Sequence, residues 1–200
     1  MKLGLDFYQR PDVLQIAREL LGKHLYTNIN GVITAGRVVE TEAYRHEGDH
    51  SLALHLQRKR RQAQGLYQPG GHAYIYTVYD RHALFNLTTH DAAHPDAVLI
   101  RAVEPLVGIE EMLRRRGLGA PVRALTAGPG VLSQALGITP ALSGTALNGD
   151  ALWFEDHGEP VADADVLASA RVGLAYAGPE AAGLPWRFRV RTSRWTSPAK

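Results

Sequence analysis

The chain has 200 residues, of which 45% are hydrophobic, so it can bury a sizeable core as one large domain or two small ones. It contains no cysteine, which excludes disulfides, thiolate zinc centres and cysteine nucleophiles. The formal charge is only +2 at a sequence pI of about 9.0, but acids gather at Glu40, Glu42, Glu47 and Asp49, while bases gather at Arg58-Lys59-Arg60-Arg61, at Arg114 to Arg116 and along Arg187, Arg189, Arg191 and Arg194.

The first residues, Met1 to Asp6, lack the apolar core of a signal peptide. No apolar run approaches the roughly 18 residues that span a bilayer. A soluble, cytoplasmic protein without membrane contact is expected. Residues 11–21 read as an amphipathic helix, with Val13, Leu14, Ala17, Leu20 and Leu21 on one face, Pro11 in the first turn and Gly22 as the stop. Two strands follow, His24–Asn28 and Val32–Glu40, joined by the hairpin signal Asn30-Gly31. Residues 45–72 are polar, basic and broken by Gly and Pro, with at most a short helix near 56–64; a loop this long is usually functional or disordered. Ala73–Val78 and Ala83–Thr88 read as a hairpin with Tyr79-Asp80-Arg81-His82 at its tip. Val98–Val103 reads as a strand, apolar except for Arg101, and Pro105–Arg116 as a helix with a basic end. Leu125–Leu136 holds Gly128-Pro129-Gly130 and then a short helical pattern. Ala146–Glu155 carries a second Asn-Gly turn, Asp163–Arg171 suits a strand or short helix, and Trp186–Val190 a last strand. No repeat or linker divides the chain, so residues 1–200 are read as one mixed α/β domain around a strongly antiparallel sheet.

Chemistry concentrates at Val38-Val39-Glu40-Thr41-Glu42-Ala43-Tyr44 and at Tyr74-Ile75-Tyr76-Thr77-Val78-Tyr79. Residues two apart share a strand face, so Glu40, Glu42 and Tyr44 look the same way. Such a face suits solvent or the wall of an active site, and on the residues alone solvent is the plainer reading. The tyrosine ladder suits a half-buried strand, a reading that fits Tyr74 best. Tyr79 sits among Asp80, Arg81 and His82, where an exposed ring has the shape of an intercalating wedge. Carboxylates beside flat rings, flanked by basic runs, point to chemistry on something planar attached to phosphate, such as a base extruded from nucleic acid; the plain alternative is that each basic run is a solvated face. His46, His50 and His55 match no common zinc spacing, and no metal or cofactor is expected. Gly128-Pro129-Gly130 lacks the Lys-Ser/Thr of a P-loop, which leaves a backbone approach to a nucleic-acid phosphate as its candidate role. Arg101, if buried, requires a partner such as Glu42 or a phosphate.

In combination these segments resemble the alkyladenine (3-methyladenine) DNA glycosylases of the mammalian type. The resemblance rests on Arg37 to Tyr44, Asp49-His50-Ser51, His72 to Tyr76 with Tyr79, Phe85-Asn86, Val98 to Pro105, Gly128-Pro129, Gln134 to Thr139, Arg171-Val172-Gly173 and Pro185 to Phe188, in the family's order from about residue 7 to 195. It implies an α+β domain with a curved, mostly antiparallel sheet flanked by helices and a protruding β-hairpin. It also implies a monofunctional hydrolase of N-glycosidic bonds that initiates base excision repair. The substrate would be double-stranded DNA carrying alkylated or deaminated purines; a monomer without an obligate protein partner is expected, associated with the nucleoid if bacterial. By resemblance Glu42 is the general base, and Arg101 and the main chain of Val172 help to hold the catalytic water. Tyr44, His50 and Tyr76 wall the flipped base, Asn86 opposes the exocyclic amine of guanine, and Tyr79 fills the vacated stack. The chain departs from the family between Arg60 and Tyr67, where Gln62-Ala63 replace an Arg-Asn pair, at Gly70, where proline is common, and at Asp80, where glycine is usual. Arg58, Lys59, Arg60 and Arg61 are candidate replacements for the lost backbone contacts, with Gly128 and Gly130. The rival readings are a non-catalytic damage binder and an RNA-binding module that use the same aromatic face.

Overall fold

The computed structural model describes residues 1–198. Its spine is β2 (Val32–Tyr44), a 13-residue strand with three partners, all antiparallel. Along one edge runs β5 (Asp96–Val107), from Ala35 opposite Val107 to Tyr44 opposite Ala97. The other edge is shared: β1 (His24–Ile29) takes residues 32 to 37, and β8 (Arg187–Val190) takes Glu40 to Glu42. Two strands leaving one edge make the sheet curl around the second half of β2. The remaining strands are β3 (Ala73–Val78), β4 (His82–Thr89), β6 (Leu152–Glu155) and β7 (Val166–Ser169). The order is β3-β4-β5-β2-β1-β6, with β7 paired to β8. With six short α-helices this is the α+β architecture expected above, a curled antiparallel sheet with the β3–β4 hairpin at its end.

The helices are α1 (Leu5–Tyr8), α2 (Val13–Glu19), α3 (His50–Arg58), α4 (Ile109–Arg116), α5 (Pro129–Leu136) and α6 (Gly178–Gly183). Asp12 caps α2 by accepting from the amides of Leu14 and Gln15, both at 3.0 Å, so Pro11 precedes the cap instead of occupying the first turn. Val13, Ile16, Ala17, Leu20 and Leu21 are buried, whereas Leu14, expected on that face, is only partly so. At 45–72 the helix is α3 rather than 56–64, because Asp49 caps it through the Ser51 amide; a 3-10 turn follows at Ala63–Leu66. The helix expected from Pro105 starts at Ile109. Pro105 continues β5 opposite Gly36, beyond the residues that β4 pairs, so its missing N–H removes no ladder bond on that side. Asp163–Arg171 divides between a 3-10 turn at Asp163–Asp165 and β7, and only Leu152–Glu155 of the Ala146–Glu155 stretch is strand. No membrane-crossing helix is present among the described residues.

Two register shifts matter for function. Val38 faces Val103, Glu40 faces Ala102 and Thr41 faces Ile100, so Val39 on β2 and Arg101 on β5 are each an extra residue. Bulges of this kind re-aim side chains. Val39 turns into the main core with Val38, Phe85, Val98, Ile100 and Phe154, while Arg101 reaches both Glu40 and Glu42. A second, smaller apolar cluster of Leu52, Leu66, Tyr74 and Ala97, with Tyr44, Leu56 and Tyr76 against it, lies apart from the main core. Alternation along β5 explains the division: Val98 and Ile100 face the main core and Ala97 the smaller cluster.

Candidate active site

The smaller cluster lines a pocket of about 480 Å³ bounded by α3, the β3–β4 hairpin, the ends of β2 and β5, and residues 172–176. Glu42, Tyr44, Tyr76, Asn86, Arg101 and Val172, singled out from distant parts of the sequence, all line it.

The solvent-face reading of β2 is overturned here: Glu40 and Glu42 are both 0% exposed. Burying two carboxylates two residues apart on a strand requires compensation by cations and donors. Arg101 supplies it to both, with Nε 2.9 Å from Glu40 Oε1 and Nη1 3.1 Å from Glu42 Oε1. Glu40 is structural. It also accepts from Arg187 Nε (2.8 Å) and from the Ser197 hydroxyl (2.8 Å) and amide (2.5 Å). Burial alone would raise its pKa, but the Arg101 charge, the Ser197 amide and Arg187 outweigh burial and hold it below the ordinary carboxylate value. Glu42 faces the pocket. Its Oε1 accepts from the Val172 amide (2.8 Å) and its Oε2 from the Tyr44 hydroxyl (2.8 Å). Burial, then the Glu42 charge, push the Tyr44 pKa well up, so the phenol stays a donor. Val172 therefore grips the carboxylate itself through its N–H.

An ion pair absent from the reading above locks these walls together. Arg171 and Asp49 are both 0% exposed at the side chain, with Arg171 donating to both Asp49 oxygens at 2.5 and 2.9 Å. Arg171 also donates to the carbonyls of Ala43 and Ala181, and its guanidinium lies 4.6 Å from the Tyr44 ring centre and 5.0 Å from that of Trp186. Asp49 caps α3 and Arg171 precedes Val172, so one pair joins β2, α3 and the 172–176 segment. The signal available in sequence was the helix-cap pattern of Asp49 and the position of Arg171 beside Val172.

The aromatic walls are Tyr44 and Tyr76, with Tyr74 beneath. Tyr74 is buried as expected, but in the pocket cluster rather than the main core, with its ring 5.4 Å from that of Tyr76. His50, expected in the wall, is exposed at the first turn of α3 and does not line the pocket. His55, further along the same helix, does. Its Nε2 lies 2.7 Å from the Tyr74 hydroxyl, and its ring centre lies 4.8 Å from that of Tyr76. Burial, helped by the Lys59 charge, lowers the His55 pKa from 6.5 to about 4, so the ring is neutral at physiological pH. Asn86 is 4% exposed, and its amide nitrogen donates to the carbonyls of Tyr74 (3.2 Å) and Leu84 (3.3 Å), which fixes the side chain against the β3–β4 ladder.

At the mouth, Tyr79 is 88% exposed. Tyr79 and Asp80 both have positive φ (50° and 49°), closed by the Arg81 amide on the Val78 carbonyl at 3.2 Å. Pro129 joins the pocket lining between Gly128 and Gly130, and a Cβ on Gly130 would lie 2.9 Å from His82 Cβ, so Gly130 lets α5 approach the hairpin base. Arg58, Lys59, Arg60 and Arg61 are all exposed; Lys59 lines the pocket, and the Arg58 guanidinium lies 5.0 Å from the ring centre of Tyr176, another lining residue not foreseen.

The family model described as methylpurine-DNA glycosylase matches residues 6–194. Relatives bearing the provisional name 3-methyladenine DNA glycosylase include one from Chlorobaculum parvum, 42% identical over 194 residues, covering 96% of this chain and 88% of the relative. Another, from Carboxydothermus hydrogenoformans, is 39% identical over 198 residues, covering 98% and 99%. A third, from Methanoculleus marisnigri, is 38% identical over 199 residues, again covering 98% and 99%. The extent of these matches, over the same residues that form the pocket, shows that the chain belongs to the methylpurine-DNA glycosylase family, a DNA glycosylase that hydrolyses N-glycosyl bonds.

Proposed function

We propose that this glycosylase extrudes a damaged purine, alkylated or deaminated, from duplex DNA into the Glu42 pocket and hydrolyses its bond to deoxyribose with a water activated by Glu42. The observation that carries the reading is a fully buried carboxylate at the foot of an aromatic pocket, oriented by Arg101, Val172 and Tyr44. Cleavage passes through an oxocarbenium-like sugar, so a fixed carboxylate near the reacting carbon both orients water and stabilises the positive charge that develops. Tyr44 and Tyr76 offer electron-rich faces to an electron-poor alkylated ring, a cation–π preference of about 0.5–2 kcal/mol. Asn86, pinned by two main-chain acceptors, cannot swing aside for the exocyclic amine of guanine. Tyr79 inserts into the space the purine leaves, and the Arg58–Arg61 run with the Gly128–Gly130 turn contacts phosphates. Extrusion costs a few kcal/mol and least at damaged pairs, which adds selectivity. Water as nucleophile leaves an abasic site and no covalent intermediate.

The test is single-turnover base release from duplexes carrying 3-methyladenine, 7-methylguanine, hypoxanthine or ethenoadenine, with Glu42→Gln as control. The variant should keep lesion-duplex binding and lose release by about 10²–10⁴-fold. Full release by Glu42→Gln, or a borohydride-trapped protein–DNA adduct, would sink the mechanism. Equal affinity for single-stranded RNA would favour a binding module instead.

A further inference from the structure

The histidines first weighed for metal spacing, His46, His50 and His55, lie in different settings, but a different set converges at the turn between β4 and β5. His90, Asp91 and His94 each bring one ligand atom to within 4.8 Å of the others. We propose that this turn is a binding site for a divalent transition-metal ion of the zinc type, outside the glycosylase pocket.

Three observations carry the proposal. The donors are held by the local backbone. Asp91 Oδ1 accepts from the amides of Ala93 (2.8 Å) and His94 (3.1 Å) and lies 2.9 Å from His94 Nδ1, leaving Oδ2 3.8 Å from His90 Nε2. The imidazoles are stacked, with ring centres 4.3 Å apart and planes 26° from parallel. Two imidazoles and a carboxylate gathered around one point form a His₂–carboxylate set with an open position, which suits zinc-like ions. His90 also stands in a left-handed conformation, φ +63°, uncommon for a residue other than glycine though histidine is among those that adopt it most readily. That conformation is enforced from both sides: its amide donates to the Tyr8 carbonyl (2.9 Å), and its carbonyl accepts from the Gly70 amide (2.8 Å). Strain imposed on a residue by its surroundings is characteristic of ligand clamps.

A fourth donor is close. The His46 ring centre is 6.5 Å from that of His94 and edge-on to it, and the His46 amide donates to the buried Asp96. A metal here would tie the β4–β5 turn to the segment that follows Tyr44. Both ends of that tie are one or two residues from the sheet but away from the lining of the pocket, so occupancy should alter stability more than chemistry.

The test uses the full chain, stripped with chelator, titrated with zinc chloride by calorimetry and with cobalt(II) by visible absorption. Expected are one saturable zinc site, a cobalt d–d band and a rise in melting temperature that grows with free zinc, as ligand linkage requires. His94→Ala and His90→Asn, the latter chosen because asparagine tolerates the left-handed backbone, should weaken zinc by about tenfold or more while base release without metal is unchanged. His157→Ala should leave binding intact, since the other stacked pair, His24 and His157 at 4.1 Å, would be the competing explanation. No saturable zinc heat, an isotherm unchanged in both turn variants, or binding lost in His157→Ala overturns the proposal.

Discussion

The floor of the pocket and the tip of its hairpin are opposite solutions to placing polar and aromatic groups. The floor is closed: Glu40, Glu42, Asp49, Arg101, Arg171 and Arg187 are all buried and tied by short polar contacts into two ionic groups. The tip is open: Tyr79 shows 88% of its surface to solvent, on a backbone with two successive positive φ values. The difference follows from what each end meets. In the proposed reaction charge develops at the floor, where donors fixed in advance would need no reorganisation. At the tip, on the function proposed above, stacked bases would supply the burial that the free ring lacks.

The comparison breaks most visibly at the floor. Asp49→Asn leaves the Arg171 charge buried with half its partner, and losing one member of a buried pair costs about 3–5 kcal/mol. Denaturant unfolding should show a loss of that size. Single-turnover release should fall too, because Arg171 packs on the Tyr44 ring and directly precedes Val172, whose amide holds Glu42. Arg171→Lys should lose less stability than Asp49→Asn, since a cation still faces the carboxylate. A loss below about 1 kcal/mol in Asp49→Asn would mean that other contacts hold the floor together.

A weaker blow to the same region comes from acid. The folded pKa of His55 is near 4 against an ordinary 6.5, so the unfolded chain binds more protons between those values. Stability from this residue is therefore complete above about pH 6.5 and drains as pH falls toward 4, by about 2–3 kcal/mol after allowance for its partial exposure. Asp49 and Glu40 have the same sign at lower pH. Both carboxyls are held below their ordinary values, so their contribution is present above those values and is lost as pH falls through the folded ones. Unfolding followed against pH should show the first stage vanish in His55→Phe while the second persists; a first stage that survives the substitution assigns it elsewhere.

How far the sequence foretold this division depends on the range of the interactions. Local chemistry was legible. Asn30-Gly31 adopts positive φ at both residues, as its turn requires, and the β3–β4 hairpin spans nearly the residues that its alternation suggested. Long-range compensation was not. The arginines that let Glu40 be buried lie 61 and 147 residues away, and Arg171 lies 122 from Asp49, so local reading placed the β2 face in solvent. The histidine wall shows a finer failure. His50 and His55 lie on one short helix, and which of them looks inward depends on where Asp49 starts it. The residues that converge on the pocket without help from neighbours in sequence (Glu42, Tyr44, Tyr76, Asn86, Arg101 and Val172) were those carried by the family resemblance.

At the tip the expected effects are smaller and fall on binding instead of folding. Tyr79→Ala removes a ring that touches little in the free protein, so the unfolding free energy should move by no more than about 0.5 kcal/mol. Loss of stacking should weaken lesion-duplex binding by about 1–3 kcal/mol. A variant that binds as tightly as the parent would show that the ring does not enter the duplex.

The smallest effect separates backbone from charge at the neighbouring position. Asp80 holds φ at 49°, where glycine is comfortable and aspartate is among the better-tolerated alternatives. It also puts an exposed negative charge beside the ring proposed to enter DNA. Asp80→Gly relaxes the backbone but gives the unfolded chain more freedom, so stability should rise by at most about 1 kcal/mol. Asp80→Asn keeps the tolerance for this conformation, removes only the charge, and should leave stability unchanged. Both should tighten DNA binding several-fold at low salt, and both gains should fade as salt screens the interaction. If Gly tightens binding and Asn does not, the turn's stiffness, not its charge, sets how the wedge meets DNA, and the open end of the site is tuned by backbone strain alone.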